Sequence, residues 1–217
     1  MELASELLVT HCHRCERELN ERGLCLVTGP ITGTCVDHVV RRLHTLAALR
    51  GPRAVPLPHS PLTSTAEHHY VVTEPAPITV LIDSLGGEAG AGFRLIDVIQ
   101  GLGKTVPIHT RALGMAASMA ALILQAGTRR EMGRFATLML HAGQWSLEGS
   151  DSQVFEDYKR LAAIQQEQIC SFLAERNTAG KDFAYWKKLI WKRKSEYWMD
   201  AAEALSLGLI DGIWEGQ

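Results

Sequence analysis

The most constraining feature of this sequence is a strand–turn–helix pattern that occurs twice in succession. Ile78–Asp83 is an apolar run with strand character, and it leads through a Gly-Gly turn into a helical pattern over Ala89–Leu102. Thr105–Thr110 is the next extended run, and it leads through a turn of small residues into an apolar helical run over Met119–Gln125. This alternation predicts an α/β fold with right-handed crossovers. Ile78–Asp83 is apolar enough to predict a central strand covered on both faces.

The two turns are expected to lie close together in space. In sheets of this kind, ligands bind at the carboxyl ends of the strands, where Gly86-Gly87 and Ser118 both fall. Ser118 lies among the small residues of Gly114–Ala121, which leave room for a substrate backbone. The start of the following helix offers unpaired N–H groups and a partial positive charge. A serine at this position can attack a substrate carbonyl or simply cap the helix, and its local sequence does not decide between these roles.

A serine hydroxyl needs a neighbouring base to act as a nucleophile. Arg134–Leu140 is predicted to be a strand that delivers His141 at the same edge of the sheet. The backbone N–H of Met119 and one from the Gly-Gly turn can together polarise a carbonyl oxygen. These groups predict an acyl-transfer site.

Composition narrows the class of protein. The 217 residues suffice for one domain with additions, and 22 basic against 24 acidic residues give a formal charge of −2. We therefore expect no binding to nucleic acid or to an anionic membrane. There is no apolar run of bilayer length and no pattern typical of a signal peptide. Five cysteines, an odd count, indicate reduced thiols and a cytoplasmic location.

Two segments stand apart from the strand–helix pattern. Residues 1–20 predict a short amphipathic helix that carries the cluster His11–Cys15, but the second half of a zinc site is missing, so no metal is predicted. The stretch at about 51–77 holds six of the eight prolines and predicts an exposed insertion loop.

A long helix is predicted from about Asp151 to Arg176. Its apolar stripe is interrupted at Gln165, where another apolar residue would be expected. A mixed stripe of this kind favours a helix that projects from the domain or meets a partner subunit. Asp200 is predicted to cap a final short helix, with Glu203 at the capping-box position.

Four short blocks resemble the Clp protease proteolytic subunit family (ClpP), whose members are serine peptidases. Their order and approximate spacing match over about Arg22 to Ile213. The blocks are Asp83-Ser84-Leu85-Gly86-Gly87, Gly114-Met115-Ala116-Ala117-Ser118-Met119-Ala120, Leu138-Met139-Leu140-His141 and Met199-Asp200-Ala201-Ala202-Glu203-Ala204.

The resemblance implies a ClpP/crotonase-like α/β fold of repeated ββα units with a projecting handle helix. Residues 1–21 would be a divergent N-terminal segment and residues 22–217 the peptidase domain. Ser118 would be the nucleophile and His141 the general base, with the N–H groups of Gly87 and Met119 as the oxyanion hole. No cofactor is implied. The resemblance also implies cleavage of peptides or unfolded polypeptides inside homo-oligomeric rings, as a heptamer or double heptamer.

The chain departs from the family pattern in three places. Glu196 falls where the family has the aspartate of the triad, with Asp200 as the competing acid; a glutamate can orient an imidazole in the same way. Leu85 replaces a proline in the Gly-Gly turn. Residues 1–20 do not resemble the segment that lines the axial pore in the family, which speaks against docking to an AAA+ ATPase unfoldase.

Three alternatives remain open at the level of sequence. A crotonase-fold acyl-CoA hydratase or isomerase would use a similar pair of amides without needing Ser118 beside His141. A non-catalytic ring subunit would shape a mixed assembly. A Ser/Lys peptidase would use Lys104, the nearest lysine before Ser118.

Overall fold

The computed structural model describes residues 13–56, 70–143, 152–192 and 195–216. Helices and strands alternate along most of these residues. In chain order the elements are α1 (His13–Arg22), β1 (Leu24–Thr28), α2 (Gly33–Arg50), β2 (Ala54–Pro56), β3 (Tyr70–Val72), β4 (Ile78–Ser84), α3 (Ala89–Leu102), β5 (Ile108–Ala117), α4 (Met119–Gln125), β6 (Arg129–Gly133), β7 (Thr137–Leu140), α5 (Ser152–Arg176), α6 (Phe183–Lys187), a π-helical turn (Lys188–Lys192), β8 (Tyr197–Asp200), α7 (Ala201–Ser206) and β9 (Gly212–Trp214).

Seven of the strands form one mostly parallel sheet. Its main order is β1-β4-β5-β6-β9, and every pairing along this path is parallel. β7 pairs in parallel with β5, and β8 pairs antiparallel with β7. This arrangement confirms the predicted α/β fold class.

Helices cover one face of the sheet. Along β4, residues 78, 80, 82 and 84 are buried, while the residues between them are partly or fully exposed. The prediction that this strand is covered on both faces is therefore wrong for the single chain. The polar side chains of Thr79 and Asp83 already break the apolar run, and they point to the face that the helices leave open.

A bulge in β5 divides that strand between two neighbours. The register against β4 passes from Ile82–Ala112 directly to Ser84–Ala116, so β5 holds extra residues around Gly114. Gly114 has φ 87°, which glycine adopts without steric cost. The first half of β5 pairs with β6 and the second half pairs with β7. The bulge therefore aims the carboxyl end of β5 toward β7.

The predicted strand Arg134–Leu140 is really two separate features. Only Thr137–Leu140 is a strand, and Phe135 lies 90% exposed in the turn before it. β6 was missed because three charged residues, Arg129 to Glu131, conceal its strand character. Arg130 is nevertheless buried, and its guanidinium donates hydrogen bonds to the Asp211 carboxylate and to the carbonyl of Arg176. A charged residue in this strand therefore does not indicate an exposed one.

The described part of the insertion forms an antiparallel ribbon of β2 and β3, and its side chains are largely exposed. Two short strands thus occur where a loop was predicted, while residues 57–69 lie outside the described residues. The N-terminal helix begins at His13 in the described chain, and His11 and Cys12 of the His11–Cys15 cluster lie outside the described residues. In the described ranges, no helix is both long and apolar enough to cross a membrane.

Candidate active site

Ser118 lies at the junction of β5 and α4 in an unusual backbone conformation. Its φ is 55° and its ψ −121°, and it is the only non-glycine among the described residues with a positive φ. Its N–H donates to the carbonyl of Met139 (2.8 Å), which fixes the turn to β7. Its side chain makes no capping hydrogen bond to α4. Ser118 therefore does not cap α4 with its side chain, which was one of the two roles that its sequence allowed.

The hydroxyl of Ser118 faces His141 instead. Its Oγ lies 2.7 Å from Nε2 of His141. In the tautomer with the proton on Nδ1, Ser118 donates to Nε2, which is the arrangement needed for removal of the hydroxyl proton. The two residues meet because β7 runs beside the second half of β5, with Ala117 paired to Met139. Both side chains then follow the carboxyl ends of adjacent parallel strands, as predicted from sequence.

The Gly86-Gly87 turn packs directly against the serine turn. A Cβ on Gly86 would lie 2.7 Å from the carbonyl oxygen of Ala117 and 2.8 Å from Cβ of Ser118, so only glycine fits. A Cβ on Gly87 would lie 2.2 Å from the carbonyl oxygen of Ile31. The two predicted turns are thus in contact, although nearly 30 residues separate them in sequence.

Two backbone N–H groups at this contact are available to a ligand. The N–H of Ile31 donates to the carbonyl of Gly86, and the carbonyl of Ile31 accepts the N–H of Glu88. The N–H of Gly87, which lies between these two bonds, donates to no described residue. The N–H of Met119 at the start of α4 is also without a partner in the described chain. Two free donors beside a serine hydroxyl can hold an oxygen that becomes negatively charged.

Glu196 lines the same cleft as His141. The antiparallel register pairs Leu140 with Tyr197, so the next step along β7 and β8 brings His141 opposite Glu196. No hydrogen bond joins these two side chains among the described residues. Instead, the indole Nε1 of Trp198 donates to Oε2 of Glu196 at 2.8 Å. The Glu196 carboxylate thus lies near the end of β8 that faces His141, but its hydrogen bond is to Trp198.

Asp200 has a different task. Its carboxylate accepts the N–H of Glu203 at 2.8 Å, so it caps α7 as predicted. The second half of the predicted capping box is wrong, because the Glu203 carboxylate accepts the hydroxyl of Tyr197 rather than a backbone N–H of the cap. The acid that competes with Glu196 is therefore occupied at a helix terminus.

A cleft of about 520 Å³ surrounds the serine and histidine. Its wall on the α4 side is apolar, formed by Met119 and Leu122, and α5 and the π-helical turn contribute Ile169 and Ile190. Leu85, 70% exposed, stands at the rim. The serine, the histidine and the glycine turn were predicted from sequence, but this apolar wall was not. Its residues come from three elements whose packing is not visible in any local pattern.

The described residues contain no group of three or more metal-ligating side chains. The lysine alternative also fails on geometry, because Lys104 precedes β5 and Ser118 follows it. Ten residues of extended strand hold the two apart by roughly 30 Å.

Comparison with known proteins gives one consistent family. The sequence model described as Clp protease matches residues 70–217. The chain is 33% identical over 138 residues to ATP-dependent Clp protease proteolytic subunit 1 of Shouchella clausii, an alignment that covers 63% of this chain and 67% of the relative. It is 32% identical over 142 residues to ATP-dependent Clp protease proteolytic subunit of Porphyromonas gingivalis, covering 64% and 60%.

A third relative, ATP-dependent Clp protease proteolytic subunit 2 of Chlamydia pneumoniae, is 30% identical over 138 residues, with 63% of this chain and 64% of the relative covered. The chain thus spans about two thirds of the length of the relatives it matches, or slightly less. The family match includes Ser118, His141 and the Gly86-Gly87 turn. The chain belongs to the Clp protease family.

Proposed function

We propose that this protein is a serine endopeptidase that works through an acyl-enzyme on Ser118. The observation that carries the proposal is the 2.7 Å contact between Ser118 Oγ and His141 Nε2, beside two unpaired backbone N–H groups. Membership of the Clp protease family supports the same chemistry.

In the proposed reaction, His141 takes the hydroxyl proton while Ser118 Oγ attacks the carbonyl carbon of a peptide bond. The N–H groups of Gly87 and Met119 hold the oxygen of the tetrahedral intermediate, which bears the negative charge. The C–N bond then breaks, and the imidazolium gives its proton to the leaving amine. A water molecule attacks the acyl-enzyme with His141 as base again, and the carboxylic acid product leaves with Ser118 regenerated.

We assign Glu196 the role of orienting His141. The register of β7 and β8 supports this role, because its last pair is Leu140 with Tyr197, and continuing it by one residue sets His141 against Glu196. The Glu196 carboxylate would have to turn from the Trp198 indole to the imidazole N–H. Glu196 is exposed, so its side chain is free to rotate.

We further propose that the chain assembles into homo-oligomeric rings, as a heptamer or double heptamer, with α5 at a subunit interface. Large apolar side chains stay exposed along α5 in the single chain, which supports burial of the helix by another subunit. They are Val154, Phe155, Tyr158, Leu161 and Ile164.

The relatives are named as ATP-dependent. For this chain we propose cleavage of peptides and unfolded polypeptides without an AAA+ partner, in the cytoplasm, where the free thiols of Cys25, Cys35 and Cys170 would be stable.

The two alternatives receive less support. A crotonase-type hydratase has no use for the Ser118–His141 hydrogen bond. A non-catalytic ring subunit would not need a serine held at positive φ beside a histidine and two free N–H groups.

The direct test is hydrolysis of a set of fluorogenic peptides and of unfolded casein by the purified protein. We expect cleavage by the wild type and none by Ser118→Ala. Ser206→Ala is the matched control, because Ser206 is an exposed serine whose Oγ donates only to the carbonyl of Glu203. Equal activity of Ser118→Ala and wild type would contradict the proposal.

A further inference from the structure

Gln165 is the one polar side chain of the cleft without a partner in the described chain. Ser118 and His141 bond to each other, and Glu196 bonds to Trp198. The carboxylate of Glu88 accepts the N–H of Gly33 at 3.2 Å. The amide of Gln165 has no such bond to a described residue, although the side chain lines the cleft and is partly buried. The amide is therefore free to pair with a ligand that enters the cleft.

Gln165 also stands where the helix pattern calls for an apolar residue. It is one turn before Ile169 on α5, so the two side chains share a face of the helix. Ile169 packs on the core and lines the cleft, as Met119 and Leu122 do from α4. The wall is therefore an apolar slot with a single amide.

The slot adjoins the reacting centre. Met119 directly follows Ser118, and Leu122 is three residues further on the same face of α4. When a substrate carbonyl sits at Ser118 Oγ, the slot offers space beside it for the side chain of the residue that owns that carbonyl. We name this substrate residue the acyl-side residue.

We propose that Gln165 makes this slot select an acyl-side residue with an unbranched apolar stem and an amide tip, of which glutamine is the best example. The amide of Gln165 both donates and accepts, so it matches another amide at its tip. An apolar side chain of the same length would leave the Gln165 amide unpaired once water is expelled. Glu88 and Glu196 place negative charge in the cleft and disfavour an acidic side chain. This inference rests on the proposed peptidase function.

The test compares glutamine and methionine, two side chains of similar length and volume, at the acyl-side position of one fluorogenic peptide. Leucine, lysine and glutamate complete the series. The enzymes are the wild type, Gln165→Met, and Gln166→Met as the control, since Gln166 is the same residue type next in the chain and does not line the cleft. The ratio of kcat/KM for glutamine to that for methionine is measured for each enzyme.

We expect the wild type and Gln166→Met to favour glutamine over the other four residues. In Gln165→Met the ratio should fall about tenfold, as expected for one lost hydrogen bond. A merely structural defect would lower both rates and leave the ratio unchanged.

Three results would overturn the inference: a wild-type preference for any of the other four residues, a change in the ratio below threefold, or a change in subunit assembly in Gln165→Met with no change in the ratio. In each of them the wild type still cleaves peptides, so the proposed function stands. If no peptide is cleaved and Ser118 is not acylated by a peptidyl phosphonate, the proposed function fails and this inference fails with it.

Discussion

The backbone of Ser118 is the residue-scale feature on which the account depends most. A non-glycine residue at φ 55° and ψ −121° is strained by about 1–3 kcal/mol, and such strain persists only where the surroundings impose it. The hydrogen bond from its N–H to Met139 and the contact with Gly86 impose it here. Strain at this residue turns the hydroxyl away from α4 and toward His141.

The Gly86 contact gives the first prediction. Gly86→Ala places a methyl group 2.7 Å from the carbonyl oxygen of Ala117 and 3.0 Å from the Met119 nitrogen, at a φ of +97° that alanine adopts only with strain. We expect kcat/KM for peptide hydrolysis to fall by at least about 100-fold, as for loss of an oxyanion donor. Gly90→Ala is the control, because its added methyl group meets nothing within 4 Å. Full activity in Gly86→Ala would contradict the assignment of this turn.

Glu196 and Trp198 give the second prediction. If Glu196 orients the imidazole, Glu196→Gln lowers kcat by about tenfold or more while KM changes little. Trp198→Phe removes the indole donor and frees the carboxylate for His141, so we expect kcat to be unchanged or higher. Steady-state kinetics on one peptide measures both variants. A loss of kcat in Trp198→Phe with none in Glu196→Gln would show that the indole, not the acid, serves the site.

Much of the site at residue scale could be predicted from sequence, for reasons that differ between residues. Ser118 and His141 each end a strand, and strand ends at one edge of a parallel sheet meet in space. Gln165 attracted notice only as a break in a stripe. The Trp198–Glu196 hydrogen bond could not be predicted, because the choice of partner for an exposed carboxylate depends on side-chain rotation that no spacing encodes.

At the scale of elements, one buried arginine joins the sheet to two helices. The Arg130 guanidinium on β6 bonds to the Asp211 carboxylate before β9, to the carbonyl of Arg176 at the end of α5 (2.7 Å) and to Gln125 at the end of α4 (2.9 Å). Arg176 in turn donates to the carbonyl of Gln125. These bonds hold the far end of α4, whose first turn carries the site. Removing the acid that pairs with a buried guanidinium is strongly destabilising, because it leaves an uncompensated charge.

Asp211 gives the third prediction, which concerns pH. Burial alone raises the pKa of the Asp211 carboxyl, but its hydrogen bonds with Arg130 and the charges of Arg130 and Arg176 outweigh burial and lower the pKa below its ordinary value of 3.8. Because the pKa is lower in the folded chain than in the unfolded one, the stabilisation is fully present above pH 3.8. It is lost as the pH falls through the pKa of the folded state.

Asp211→Asn should therefore lower the free energy of unfolding by about 3 kcal/mol at pH 7, since it leaves the Arg130 charge buried without its acid. Below pH 4 the difference between variant and wild type should shrink. Urea denaturation at a series of pH values measures both. Asp182→Asn is the control, because Asp182 caps the exposed start of α6 and has no cationic partner among the described residues. A difference that grows toward low pH would contradict this account.

The elements themselves were predicted with uneven success. α3 and α4 have the predicted bounds because their apolar positions recur at helical spacing, and Asp200 caps α7 as expected. β6 was not predicted, because its charged residues resemble an exposed segment and their partners, such as Asp211 for Arg130, are far away in the sequence. The bulge of β5 was also missed, although Gly114 was its one local signal.

At the scale of the whole molecule, the exposed apolar side chains of α5 mark the surface that the single chain leaves unpacked. The sequence indicated a projecting or subunit-contacting helix, but the number of subunits depends on angles between copies that no single chain reveals.

Leu161 gives the fourth prediction. Leu161 is 41% exposed on the apolar side of α5, and Leu161→Asp would place a charge in the proposed interface. We expect the assembly to dissociate to smaller species, as measured by sedimentation velocity, with loss of peptidase activity. Ala163→Asp adds the same charge on the opposite side of the helix, where the side chain is exposed, and should leave the assembly intact. Dissociation in Ala163→Asp but not in Leu161→Asp would place the interface on the other side of α5.

Labelling by a fluorophosphonate, with the modified residue identified by mass spectrometry, tests directly whether Ser118 is a nucleophile activated by His141. We expect one adduct per chain, on Ser118, and labelling slowed by about 100-fold or more in His141→Ala, because the imidazole removes the hydroxyl proton. An adduct on any other residue, or equal labelling rates with and without His141, would contradict these roles.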